Sequence, residues 1–133
     1  NCAFEDCVEL DTLLGSSNDL EWVFGELEAR RKPNAEAIAD MALENYVEMR
    51  DAVADERFQL MKQVERVLSS RHPERFVSRY AMVSFRRVPY AQAKARGLIQ
   101  SKLLHDLTES ITQADQINLA LADSRINAEL SPL

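Results

Sequence analysis

The chain has 133 residues, 46% hydrophobic and 29% charged, with 16 Lys and Arg against 22 Asp and Glu and a formal net charge of −6. A chain this long buries roughly two-thirds of its unfolded surface, so these figures describe one globular unit that needs no crosslinks. They exclude a dedicated nucleic-acid binder, which requires a basic face that the short clusters Arg30, Arg31, Lys32 and Arg86, Arg87 do not supply. With only Gly15, Gly25 and Gly97, there is no glycine-rich phosphate loop and no dinucleotide fingerprint.

Sparse glycine and the scarcity of alternating apolar and polar residues predict an all-α chain punctuated by its four prolines. A first helix is expected over 3–14, with Phe4, Cys7, Val8 and Leu14 on its apolar face and Gly15 as its stop. Its acids Glu5, Asp6, Glu9 and Asp11 lack calcium-loop spacing and read as a solvated face. Cys2 and Cys7 point to different sides and read as reduced thiols of a cytoplasmic protein. The chain starts at Asn1 rather than at an initiator Met, as expected of a processed or truncated piece.

Asn18 and Glu21 resemble a capping box that opens a second helix carrying Leu20, Val23, Phe24 and Leu27, closed by the basic cluster and Pro33. Asn34 then caps a third helix reaching about Val53, and a fourth covers 55–70. A short helix is expected from Pro73 through Tyr80, then a bend over 84–88, a helix over 89–105, and a last, more polar helix over 108–129. That last stretch is too rich in charge to span a membrane.

The third helix is the most informative, because Ile38, Met41, Ala42, Asn45, Met49 and Ala52 share an arc of about 100°. Asn45 is the polar exception in this stripe. An amide buried without partners costs roughly 1 to 3 kcal/mol, so it is expected to meet neighbouring backbone, water or a ligand, the first two being the commoner outcome. Met41 and Met49 suit either a core or an aromatic surface. Tyr80 lies in a stretch with Phe76, Val77 and Met82 that is expected to be largely buried, its phenol hydrogen-bonded. His72 and His105 have no metal-ligand spacing and no partnered serine, and are placed at helix ends.

The run Asn1-Cys2-Ala3-Phe4-Glu5-Asp6-Cys7 resembles the segment after the last flavin-contacting glycines of the class A flavoprotein aromatic hydroxylases. Asn45-Tyr46-Val47-Glu48-Met49-Arg50 and Tyr80-Ala81-Met82-Val83-Ser84-Phe85, followed by Tyr90, resemble the kynurenine-hydroxylating branch of that family over residues 1 to about 102. The resemblance implies an enzyme that uses FAD, NADPH and O2 to hydroxylate L-kynurenine, the cofactor carrying the difficult chemistry. It implies a cofactor contact at Asn1, polar contacts to the substrate's amino-acid end from Asn45 and Tyr80, Met49 against its apolar body, and Glu48 either organising the pocket or making a surface pair.

It further implies three regions: 1–15 as a flavin-side helix, 16–105 as a helical cover over the substrate, and 106–133 as a soluble, bacterial-type terminal helix. The family's parallel sheet, flavin motifs and remaining carboxylate ligands do not occur in these residues, so the chain by itself is expected to be inactive and to need an N-terminal FAD domain as its partner. Two alternatives are a stand-alone helical interaction module and a fragment of a hydroxylase for another aromatic substrate. The oligomeric state is not legible in the sequence.

Overall fold

Apolar residues at helical spacing leave a chain with few glycines one economical way to satisfy its backbone, and it takes it. The structure, a computed structural model, describes residues 2–52 and 55–133, with side chains for all of these except residues 51 and 52. Six α-helices follow one another: α1 (Cys2–Ser16), α2 (Leu20–Val47), α3 (Glu56–Arg71), α4 (Arg79–Phe85), α5 (Tyr90–Thr108) and α6 (Leu119–Glu129). A π-helical turn, Glu48–Ala52, extends α2, and a short 3-10 turn, Ala114–Gln116, precedes α6. Among the described residues there is no strand. Asn1 and the expected helix end at Val53 lie outside the described residues.

The central element is α5, which packs on α2, α3, α4 and α6. Its Leu103, Leu104 and Leu107 join Leu60, Val64 and Leu68 of α3, Phe76, and Ala122 and Ile126 of α6 in the main core. Each such side chain contributes roughly 1.5 to 3 kcal/mol on burial. A smaller cluster joins Ala37 and Met41 of α2 to Tyr90 at the start of α5.

Several boundaries differ from the sequence expectation, each for a local reason. In α1 the buried residue is Leu13, whereas Phe4, Cys7, Val8 and Leu14 are exposed or nearly so. The acidic side of α1 turns inward because it has partners on α2. Arg31 lies 2.5 Å from Asp6 and 3.3 Å from Glu5, and Arg30 lies 2.8 Å from Glu9. Gly15 does not stop the helix, since it has no positive φ; Ser16 Oγ donates to Leu13 O one residue later.

The cap of α2 is Asp19 rather than Asn18, its carboxylate accepting from the Glu21 and Trp22 N–H groups. Pro33 does not end the helix. Its missing N–H and ring normally break an interior turn, but burial of Ala37 and Met41 one and two turns later holds the rod together. Asn34 donates from Nδ2 to Arg30 O and accepts at Oδ1 from the Ala91 N–H. It therefore serves as a cap, but for α5, whose own N-cap Pro89 offers no side-chain bond.

Pro73 sits in a turn rather than starting a helix, and Ser78 caps α4 through the Ala81 N–H. The expected helix over 108–129 is split. Thr108 Oγ1 bonds back to Leu104 O at the end of α5, Gln113 and Gln116 cap each other, and Asn118 opens α6 by accepting from Leu121 N–H. The final residues are strapped down: Arg75 donates to Leu130 O, buried Arg96 to Arg75 O and Ser131 O, and Leu133 N to Glu74 O.

Two pH dependences follow. The Tyr90 hydroxyl donates to Glu5 Oε1 at 2.9 Å, and burial, then this bond, pushes its pKa up to about 12. A raised folded value means that the contribution is whole below the unfolded value of about 10 and is lost as pH rises through 12. Tyr90→Phe is expected to cost about 1.5 to 3 kcal/mol at neutral pH by chemical denaturation, with the difference from the parent shrinking above pH about 10. Asp123 is held well below the usual carboxylate range by Arg71, at 2.6 Å, and by His72, at 2.7 Å. Its contribution is present above the ordinary value of about 4 and lost as pH falls further, so Asp123→Asn should flatten the acid limb of the stability profile.

Candidate functional site

Between α3 and α5 runs a groove of about 590 Å³, a size that suits a small molecule. Each wall is one helical stripe: Phe58, Met61, Lys62, Glu65, Arg66 and Ser69 on α3, and Gly97, Gln100, Ser101 and Leu104 on α5. Its third side is built by Asn45 and Glu48 at the junction of α2 with the π-helical turn, and by Ser78, Arg79 and Tyr80 at the start of α4. Such turns insert an extra residue into a helix and re-aim the side chains around it. Asn45, Arg79 and Tyr80 also line a second cleft of about 170 Å³ with Ile38, Met41 and Val83, so these three form the ridge between the two.

Gly97 sets the position of Arg79. A Cβ there would overlap Cδ and Cγ of Arg79, whose stem lies across α5 at this point. From that seat Arg79 pairs with Glu44 and reaches Glu48 Oε2 at 3.7 Å. Glu48 in turn lies 3.0 Å from Lys62, which pairs with Glu65 at 3.1 Å. Burial disfavours the Lys62 ammonium, yet Glu65 and Glu48 outweigh it and raise its pKa above the ordinary lysine value. Lys62 also sits 5.3 Å from the Phe58 ring centroid.

Three of the residues singled out in the sequence meet here: Asn45, Glu48 and Tyr80. Two are not buried as expected. Asn45 is exposed on the groove lip, because the apolar stripe of α2 stays buried only as far as Met41. Tyr80 is 72% exposed, its ring edge-on to Phe85 at 5.6 Å, while Phe76, Val77 and Met82 are buried. Capping by Ser78 gives α4 a register that turns Tyr80 outward and Met82 inward. Met49 is not among the lining residues; its Sδ lies 3.5 Å from Asn45 Nδ2. Glu48 lines the groove and is ion-paired there to Lys62, so the two readings of it are not exclusive.

Lys62, Arg79, Gly97 and Gln100 are groove residues that the sequence reading passed over. Gln100 interrupts the buried stripe Ala93, Gly97, Leu103, Leu104 and Leu107 in the way Asn45 interrupts its own, so the same signal was present. Gly97 in a helix interior was a second signal. Among the described residues no group of three or more His, Cys, Asp or Glu is placed to hold a metal, and no helix is long and apolar enough to cross a membrane.

No protein-family model matches the chain. A protein of Myxococcus xanthus named kynurenine 3-monooxygenase is 48% identical over 132 residues, 99% of this chain. In sequence the chain is similar throughout to kynurenine 3-monooxygenase. The Stenotrophomonas maltophilia protein of that name is also 48% identical, over 133 residues, and one from Xanthomonas campestris is 45% identical over the same length. The chain spans only 28 to 29% of the length of these kynurenine 3-monooxygenases.

The Gly97 contact yields a test with a definite sign. An alanine in a helix interior normally gains up to about 1 kcal/mol over glycine. Gly97→Ala is expected instead to lower the thermal midpoint by displacing Arg79, and Gly97→Ala combined with Arg79→Ala to recover it.

Proposed function

We propose that this chain is the C-terminal helical part of a kynurenine 3-monooxygenase, an enzyme that hydroxylates L-kynurenine to 3-hydroxykynurenine with FAD, NADPH and O2. The observation that carries this reading is the near-half identity over the whole chain, joined to the meeting of Asn45, Glu48 and Tyr80 at one groove. FAD and NADPH would supply the oxygen activation.

The described residues do not fit a flavin: the groove is lined by paired ions and lacks a glycine-rich turn. The FAD seat therefore belongs to polypeptide outside this chain, with Asn1 as the one contact contributed from here, and residues 1–15 as the flavin-side helix. Residues 16–105 form the cover over the substrate and 106–133 a terminal helical region that closes the core. The chain alone is inactive in this reading, and the enzyme it belongs to is cytoplasmic.

The roles of its own residues follow from their settings. Asn45 presents an exposed amide whose Nδ2 makes a weak contact to the Met49 thioether, and Tyr80 presents an exposed ring, so both offer polar atoms to the amino-acid end of kynurenine. Glu48, held by Lys62 and Arg79, fixes the wall and is a positioning group rather than a base. Met49 acts through Asn45 and borders the substrate's apolar body. The exposed Phe4 and Val8, one turn apart on α1, and Leu43 and Tyr46 on α2 would be covered by the FAD domain.

Asn45→Ala in the full-length polypeptide should weaken L-kynurenine binding by about 1.5 to 3 kcal/mol, the worth of a hydrogen bond to a charged group. Titration calorimetry checks it, and an unchanged affinity removes Asn45 from the substrate site. NADPH oxidation stimulated by simple phenols but not by kynurenine would favour a sister hydroxylase instead.

A further inference from the structure

Phe85 closes α4 with its ring 73% exposed, a setting in which it adds nothing to the core. Its ring stands edge-on to that of Tyr80, with 5.6 Å between centroids and 82° between planes, one of the geometries that two aromatic rings prefer. Among the described residues no other aromatic ring is paired with Tyr80. The two partners are not held equally. Phe85 stands on an anchored turn: Met82, three residues earlier, is fully buried and its carbonyl accepts from the Val88 N–H at 3.3 Å. Next to Phe85, Arg86 donates to Pro73 O at 2.9 Å and to Glu74 at 3.2 Å. Arg87 then takes the left-handed φ of 50° at which a helix commonly ends. Tyr80, in the first turn of α4, has its backbone fixed by the helix, but at 72% exposure its side chain is left three staggered wells to choose among.

A side chain that meets a ligand in one rotamer binds it in proportion to the time it spends there. The edge-on contact with Phe85 distinguishes one Tyr80 rotamer from the others. We propose that Phe85 is a positioning residue, holding the Tyr80 ring, on the ridge that it shares with Asn45, in the orientation that meets the substrate. The inference rests on the reading of Tyr80 as a substrate contact and adds what fixes that contact. Phe85 lines neither the groove nor the second cleft, so it acts through Tyr80 and not on the ligand.

The test is calorimetric titration of the full-length polypeptide with L-kynurenine, in a double-mutant cycle of Phe85→Leu and Tyr80→Ala. Both positions are mostly exposed, so the variants should fold. Tyr80→Ala should weaken kynurenine about tenfold or more. Phe85→Leu should weaken it about two- to threefold, the ratio of one fixed rotamer to three open ones, and should add nothing where Tyr80 is already alanine. With tyrosine rings isotopically labelled, the NMR signal of Tyr80, assigned by its loss in Tyr80→Ala, should shift in Phe85→Leu while the other tyrosine signals stay in place, which a general loosening of the fold would not produce. Equal weakening by Phe85→Leu with and without Tyr80 would mean that Phe85 itself touches the ligand or the rest of the enzyme, and overturns the proposal. Full affinity in Phe85→Leu, or an unmoved Tyr80 signal, while Tyr80→Ala still weakens binding, overturns it too: the substrate contact then stands and its positioning by Phe85 does not. Unchanged affinity in Tyr80→Ala removes the contact, and this inference with it.

Discussion

Much of the groove depends on a missing carbon. Because Gly97 has no Cβ, the stem of Arg79 lies against α5, and its guanidinium reaches Glu44 and Glu48. Glu48 then meets Lys62, and Lys62 meets Glu65, so one line of alternating charge joins α4, α2 and α3 above the central helix. Exposed pairs of this kind contribute little to stability singly. Their weight here lies in geometry, since they hold the end of α2, where Asn45 sits, at a set distance from the start of α4, where Tyr80 sits.

The helical class was legible from residue spacing, and α3 in particular lies close to its expected bounds because Asp55 is an unambiguous cap. What went unread was decided by groups far apart in the chain. Pro33 is a helix breaker on local grounds, yet α2 runs on through it, with Ala37 and Met41 packed against Tyr90 and Asn34 bonded to the start of α5. The acids of α1 look solvated until Arg30 and Arg31 are seen to face them. Asn34 was recognisable as a cap, but the helix that it caps starts 56 residues later.

The same division holds for the site. Asn45, Glu48 and Tyr80 were picked out by a resemblance in motif, and they do meet at one groove. Their exposure was misjudged because periodicity says which residues share a face, not whether a neighbour covers it. A wheel drawn through Asn45 continues the apolar stripe past Met41, the last buried residue of α2. Gln100 carried the same mark, a polar residue within a buried stripe, and its unpartnered amide is the structural counterpart of that mark. Two polar interruptions on two helices thus line one groove, one at its lip and one within its wall.

The continuity of α2 has a mechanical side. Its 28 residues make a rod roughly 40 Å long, clasped by α1 near its middle and ending at Asn45 and the π-helical turn. Proline is where such a rod would ordinarily acquire a joint, but Asn34 splints it to α5 beside Pro33. With no joint at Pro33, the face that clasps α1 and the lip of the groove belong to one continuous beam.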